Sequence, residues 1–182
     1  MSIDCIHVAR QKFCLYWLAG ALFVSIAMLG FAPSVIPGNQ LEAVPLIAPM
    51  GASTMLMLTM PTSAFARPRT VLVANALATG IGLLMPHLFS SVIIASAAAV
   101  AMTVAAMGVM RTIHPPSAGL TLFAVSQGAL PLSQSLDFLL GGVMSRTVLM
   151  IVLAIGLNRL GSMLFSTAGA SERDRRPRPE RE

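Results

Sequence analysis

Arg111-Thr112-Ile113-His114-Pro115-Pro116-Ser117-Ala118-Gly119 places a histidine and two helix-breaking prolines in a chain otherwise apolar enough to live in lipid. Irregular backbone at membrane depth is tolerated only where protein or a polar cavity surrounds it, and ionisable groups there mark functional sites. An earlier stretch, Ala48-Pro49-Met50-Gly51-Ala52-Ser53, echoes the first at an offset of 66 residues. In that gapless alignment Pro49 matches Pro115, Ala52 matches Ala118 and Leu56 matches Leu122.

The surrounding chain sets the solvent. Hydrophobic residues make up 55% of it, charged residues 10%, and mean hydropathy is +0.79. Soluble domains carry about 25% charged residues, so this is a membrane protein with the lipid bilayer as its first partner. The net charge of +5 does not point to nucleic acid, because the arginines fall in short clusters between apolar runs, without a basic face carrying aromatic stacking groups. Arg10 and Lys12 precede an apolar run in the manner of a signal peptide, yet the uncharged stretch from Phe13 to Gln40 exceeds an h-region of about 7–15 residues. It reads as a first span. Cys5 and Cys14 fall on the expected cytoplasmic side, where thiols stay reduced, and no chemistry is assigned to them.

A spanning helix needs about 20 apolar residues, and the charges divide the chain into six segments: 13–36, 43–66, 70–87, 89–110, 115–131 and 138–158. The third and fourth come from one uncharged run, Thr70 to Met110, with a hairpin expected at Pro86-His87. Six crossings with a cytoplasmic amino terminus put Arg10, Lys12, Arg67, Arg69, Arg111 and Arg159 inside and Glu42, His87 and Asp137 outside, as the positive-inside rule prefers. If the segments around Pro49 and Pro115 leave by the face they entered, the count falls to four. The expected fold is an all-α membrane protein, a compact bundle of about six hydrophobic segments with four to six crossings, two of them broken by Pro and Gly. Three plus three segments, each triplet with its broken member in the middle, give an inverted repeat of the kind secondary transporters use. Residues 1–12 read as a cytoplasmic amino-terminal segment, 13–160 as the transmembrane domain, and 161–182 as a cytoplasmic, largely disordered tail. From Ser171 that tail carries five arginines and four acids.

Ala-Pro-Met-Gly-Ala-Ser at 48–53, Pro61 followed by Ala66-Arg67-Pro68-Arg69, and Arg-Thr-Ile-His-Pro-Pro at 111–116 with Ala118 together resemble the HPP family of small integral membrane proteins. The resemblance covers roughly residues 13–160. It implies a compact helical membrane domain, usually described with four spanning helices, and a plant chloroplast branch linked to nitrite transport. An arginine at position 146 departs from the family pattern, where that position is usually small or apolar.

Read for chemistry, Pro49 and Pro115 or Pro116 suit helix starts, because the missing proline N–H would be unpaired there anyway. Gly51, Ala52 and Ser53 would then offer free N–H groups, as would Ser117, Ala118 and Gly119. Two such starts facing each other would each contribute about half a positive charge and form a site for a small anion. His114 has two readings: it donates to the anion and couples a proton, or it caps the helix or bonds a neighbouring backbone. Arg146, the one basic residue inside a predicted span, costs at least about 2.5–3.5 kcal/mol in lipid. It should therefore face the bundle interior, pair with an acid such as Asp137, or lie nearer an interface. Arg111 is either an attractor at the cytoplasmic mouth or a topology anchor, while Arg67 and Arg69 suit anchors. Asn75 and Asn158 suit interhelical hydrogen bonds, and the small residues from Ser96 to Ala106, with Gly80 and Gly82, suit close helix contacts. Met50, Met55, Met57 and Met60 suit core packing better than metal binding.

These readings lead to a permease for a small inorganic anion, nitrite or nitrate being the guess the resemblance supplies. It would be a homo-oligomer in a bacterial inner membrane, with no cofactor and no metal. An enzyme would need paired carboxylates, a metal cluster or a nucleophile with its base, and the spans hold no clear carboxylate and essentially one histidine. A membrane scaffold without transport is the other alternative, and a dry, closed interface at Pro49 and Pro116 would favour it.

Overall fold

Hydrocarbon offers the backbone no hydrogen-bond partner, so apolar runs of this length fold into helices that satisfy themselves. The computed structural model describes the backbone of residues 3–31 and 44–174, with side chains over 15–30 and 48–164. Every regular element among these residues is helical. Helix α1 spans Ile3–Phe31 and α2 spans Val44–Thr59. A 3-10 turn, Ala64–Ala66, is capped by Ser63, whose hydroxyl accepts the Phe65 N–H at 3.3 Å. Pro68 then opens α3, Pro68–Leu88, at a first-turn position where it forfeits no helical bond. Helix α4 is Val92–Val109 and α5 is Ser117–Ser126. The short α6, Leu132–Leu136, continues through a π-helical stretch, Asp137–Met144, into α7, Ser145–Asp174.

With α6, the π stretch and α7 counted as one run, the six expected segments are present in order. The hairpin in the long uncharged run turns at residues 89–91, just past Pro86-His87, and Pro86 itself stays inside α3. Two boundaries move. Helix α1 begins at Ile3, so residues 3–12 of the amino-terminal segment and the first span share one helix. Helix α7 runs past 160 to Asp174, so the first part of the tail read as disordered is helical. Charge-rich composition reports solvation and does not by itself end a helix; the first proline after Ser171 is Pro177. Residues 175–182 lie outside the described residues.

Among the described residues, three runs, Pro68–Leu88, Val92–Val109 and Leu132–Leu164, are long and apolar enough to cross a membrane. The 10 residues of α5 rise only about 15 Å, half of the hydrocarbon thickness of about 30 Å.

Helix α3 is central, packing against α4, α5, the π stretch and α7. Gly82 sets the closest of these approaches. A Cβ there would sit 2.6 Å from the Ala124 Cβ and 2.7 Å from the Thr121 carbonyl oxygen, so only glycine lets α3 and α5 lie so near. The packing pattern also has a hidden regularity. If α1 is exchanged with α4, α2 with α5 and α3 with α7, then α1–α2 maps onto α4–α5, α1–α7 onto α3–α4, and α2–α7 onto α3–α5. The α2–α5 and α3–α7 contacts map onto themselves. This exchange is the one a three-plus-three repeat requires.

Candidate functional site

The two quoted stretches meet at the centre of that exchange. Gly119, itself exposed, lies near Pro49, and a Cβ added to the glycine would make ordinary contact with the proline Cβ at 3.4 Å. Four residues along α2, Ser53 Oγ lies 2.9 Å from Nε2 of His114. The two segments therefore pass each other in opposite directions, the later residues of one beside the earlier residues of the other. His114 is fully buried, and its Nδ1 lies 2.8 Å from the Phe65 carbonyl oxygen of the 3-10 turn. Ser53 Oγ also approaches the carbonyl oxygen of Pro49 at 3.1 Å.

A polar chain continues inward from this junction. The Ser117 N–H donates to the His114 carbonyl at 3.0 Å, and the Ser117 hydroxyl donates to Asn75 Oδ1 at 2.6 Å. Asn75 Nδ2 in turn donates to Thr147 Oγ1 at 3.1 Å. One turn further along α5, Thr121 Oγ1 lies 3.2 Å from Thr103 Oγ1 of α4 and 3.1 Å from the Ser117 carbonyl oxygen. All of these side chains are buried. Interhelical bonds in membrane bundles are worth on average about 0.6 kcal/mol each, so the chain does little to hold the fold together. Its effect is to fix how α3, α5 and α7 face one another.

The expected donors are not free. Pro49 lies within α2 and does not start it, so Gly51, Ala52 and Ser53 sit in the body of a helix, where N–H groups bond to the preceding turn. At α5 the N–H groups of Ser117, Ala118 and Gly119 donate to the carbonyls of His114, Pro115 and Pro116 at 3.0, 3.1 and 3.1 Å. Pro115-Pro116 forms a tight turn that uses up the donors a bare helix start would present. The anion cradle of two opposed helix starts is therefore absent from this conformation.

Residues 8–164 match the family model described as HPP, transmembrane region. The chain belongs to the HPP transmembrane family. No curated protein and no solved structure matches it. Within the HPP domain, Arg146 is buried in the bundle interior, donating from Nη1 to the Gly142 carbonyl at 3.1 Å and from Nε to the Leu29 carbonyl of α1 at 3.4 Å. Of the three placements open to it, the interior one holds. It lies two residues after the π stretch, a form of helix that often marks functional positions.

Arg111 is exposed and occupies the left-handed region at φ 54. Its N–H bonds the Gly108 carbonyl at 3.1 Å and the Thr112 N–H bonds the Met107 carbonyl at 2.9 Å. This is the Schellman closure of α4, with arginine where glycine is usual. Asn75 and Asn158 both bond between helices, the latter from Nδ2 to the Met57 carbonyl at 3.0 Å. Met50 and Met57 are core residues, whereas Met55 and Met60 are more than half exposed on the outer face. Sequence reasoning missed Thr147, Thr103, Thr121 and the Phe65 carbonyl. Threonines in apolar helices have no spacing that singles them out, and a backbone acceptor leaves no mark in sequence.

Proposed function

We propose that this HPP domain is a permease for a small inorganic anion of the nitrite or nitrate class, working along the seam between α2 and α5, without catalysis. The observation that carries the reading is the junction itself. A short helix with an internal proline, α2, and the His-Pro-Pro turn that opens the short α5 meet through the His114–Ser53 bond, and the two helices are related by the packing exchange in a bundle built for a membrane. Paired broken helices meeting between repeats are how secondary transporters build central sites.

In this reading the closed seam is an occluded state. Opening it parts His114 from Ser53 and frees Ser53, Ser117 and the turn at His114 to face the solute. Arg146 and Arg111 supply positive charge within the bundle and near the mouth, which favours anions over cations. The inner-membrane location, the cytoplasmic amino terminus and assembly as a homo-oligomer belong to the same proposal. They are supported by the loop arginines and by the small amount of protein that six short segments provide around a pathway.

A second reading, the scaffold, is favoured by one specific observation: the α2–α5 junction is held by direct hydrogen bonds of the buried His114 to Ser53 and to the Phe65 carbonyl. Flux decides between them. Purified protein in proteoliposomes should move nitrite or nitrate faster than protein-free vesicles do, and His114→Ala, which removes the hydrogen bonds to Ser53 and Phe65 at the junction, should abolish that flux. Folded, inserted protein that moves neither nitrite, nitrate nor chloride would overturn the permease and leave the scaffold.

A further inference from the structure

The hydrogen bonds at His114 have a property that neither a cap nor a simple anion ligand requires. The Phe65 carbonyl oxygen can only accept, so Nδ1, 2.8 Å away, carries a hydrogen whether the ring is neutral or charged. In the neutral ring Nε2 is then a bare acceptor, and the Ser53 hydroxyl donates to it across 2.9 Å. When the ring holds a second proton, Nε2–H donates to Ser53 Oγ, and the serine hydrogen turns to the Pro49 carbonyl oxygen 3.1 Å away. Every donor has an acceptor in both states. A buried imidazole usually has partners suited to one protonation state, because leaving a buried polar group unpaired costs about 1–3 kcal/mol.

We infer that His114, Ser53 and the Pro49 carbonyl form a reversible proton-binding site at the α2–α5 junction, with the proton from solution as its ligand. The balance is simple. One proton arrives at Nε2, no covalent bond is exchanged, and the Ser53 hydroxyl reorients from a neighbouring segment to its own helix. In the neutral state α2 donates to the His-Pro-Pro turn; in the charged state it accepts from that turn and its serine bonds back to Pro49. The proton thus reverses the polarity of the link between the two short helices.

Among the described side chains, the titratable and charged groups on the elements packed here are few, and α1, which packs on α2, contributes only Tyr16. The described side chains of α2 and those of α5 include no titratable or charged residue. The 3-10 turn is followed by Arg67, with Arg69 in the first turn of α3, and Arg111 precedes the histidine. Helix α7, packed on α2, contributes Arg146 and Arg159, and the π stretch contributes Asp137.

The use of the proton rests on the permease reading; its binding does not. The test is nitrogen NMR of 15N-histidine-labelled protein in lipid between about pH 4 and 9, with His114 distinguished from His7 and His87 by the signal lost in His114→Gln. The expected result is a neutral ring protonated on Nδ1 at high pH, converting to a doubly protonated ring at low pH. In Ser53→Ala the high-pH Nε2 signal should lose its hydrogen-bonded shift while the Nδ1–H form persists. A ring protonated on Nε2 when neutral, or one that stays neutral across the whole range, would overturn the inference. Flux measured with and without a pH gradient separates the two proposals: titration without flux of any anion sinks the permease alone, and flux without titration sinks the proton site alone.

Discussion

At Arg111 a long, charged side chain sits in a backbone conformation that costs a non-glycine residue about 1–2 kcal/mol, three residues before the buried histidine. Arg111→Gly should therefore raise stability by about 1 kcal/mol, part of the relief being offset by glycine's extra freedom when unfolded. Arg111→Ala, which keeps the strain, should not. Thermal unfolding in detergent distinguishes them, and a lower midpoint for Arg111→Gly would mean that the guanidinium stabilises the fold in a way the backbone does not reveal. Of the site residues, His114 was the most legible, because an ionisable ring beside two prolines in an apolar chain has few uses. Its partners were not, since one is a carbonyl and the other a serine that looked like the first turn of a helix. Pro49 was misread for a related reason. Proline suits a helix start, but it is also tolerated inside membrane helices, where neighbours re-satisfy the freed carbonyl.

Among the elements, α3 offers a matched pair. Gly82→Ala places a methyl 2.6–2.7 Å from Ala124 and the Thr121 carbonyl. One of those obstacles is backbone that cannot step aside, so α3 and α5 must separate at a cost of about 1–3 kcal/mol. Gly80→Ala meets nothing within 4 Å and should gain up to about 1 kcal/mol from helix propensity. Unfolding midpoints measured side by side should move in opposite directions; a shared direction would show that the α3–α5 approach is not what Gly82 protects. The helices themselves were legible from uncharged length, and the α3–α4 hairpin from a run twice too long for one crossing. The π stretch was not. It differs from an α-helix by about one residue per turn at unchanged composition, so nothing in Asp137–Met144 announces it.

For the whole molecule, the His114–Phe65 contact puts the turn before α3 and the turn before α5 at one end of the bundle, and the residue 89–91 turn at the other. In a background with Cys5 and Cys14 replaced by serine, Arg67→Cys and Arg111→Cys should react with an impermeant thiol reagent from the same side, and Ser90→Cys only from the opposite side. Labelling of Arg67→Cys and Arg111→Cys from opposite sides would break the proposed arrangement. The carboxyl end gives a second check. Gly161 packs so closely on Trp17 that a Cβ would come 2.7 Å from its Nε1, so a chain ending at Ala170 should insert and fold, whereas one ending at Arg159 should lose stability. Equal stability of the two would show that the α1–α7 contact contributes nothing. The exchange of helix neighbours has only three matched residues as its counterpart in sequence, because helix packing constrains size and polarity rather than identity.

The hydrogen-bonded junction of His114 with Ser53 and the Phe65 carbonyl carries a consequence for any binding measurement on the proposed permease. A solute that enters only when the seam parts binds a minority population, and its apparent dissociation constant equals the intrinsic one divided by the open fraction. If about one molecule in a hundred is open, a site of intrinsic micromolar affinity registers near 100 µM. Weak equilibrium binding is then what a well-sealed transporter should display, and a substitution that props the seam ajar should tighten binding even as it spoils turnover.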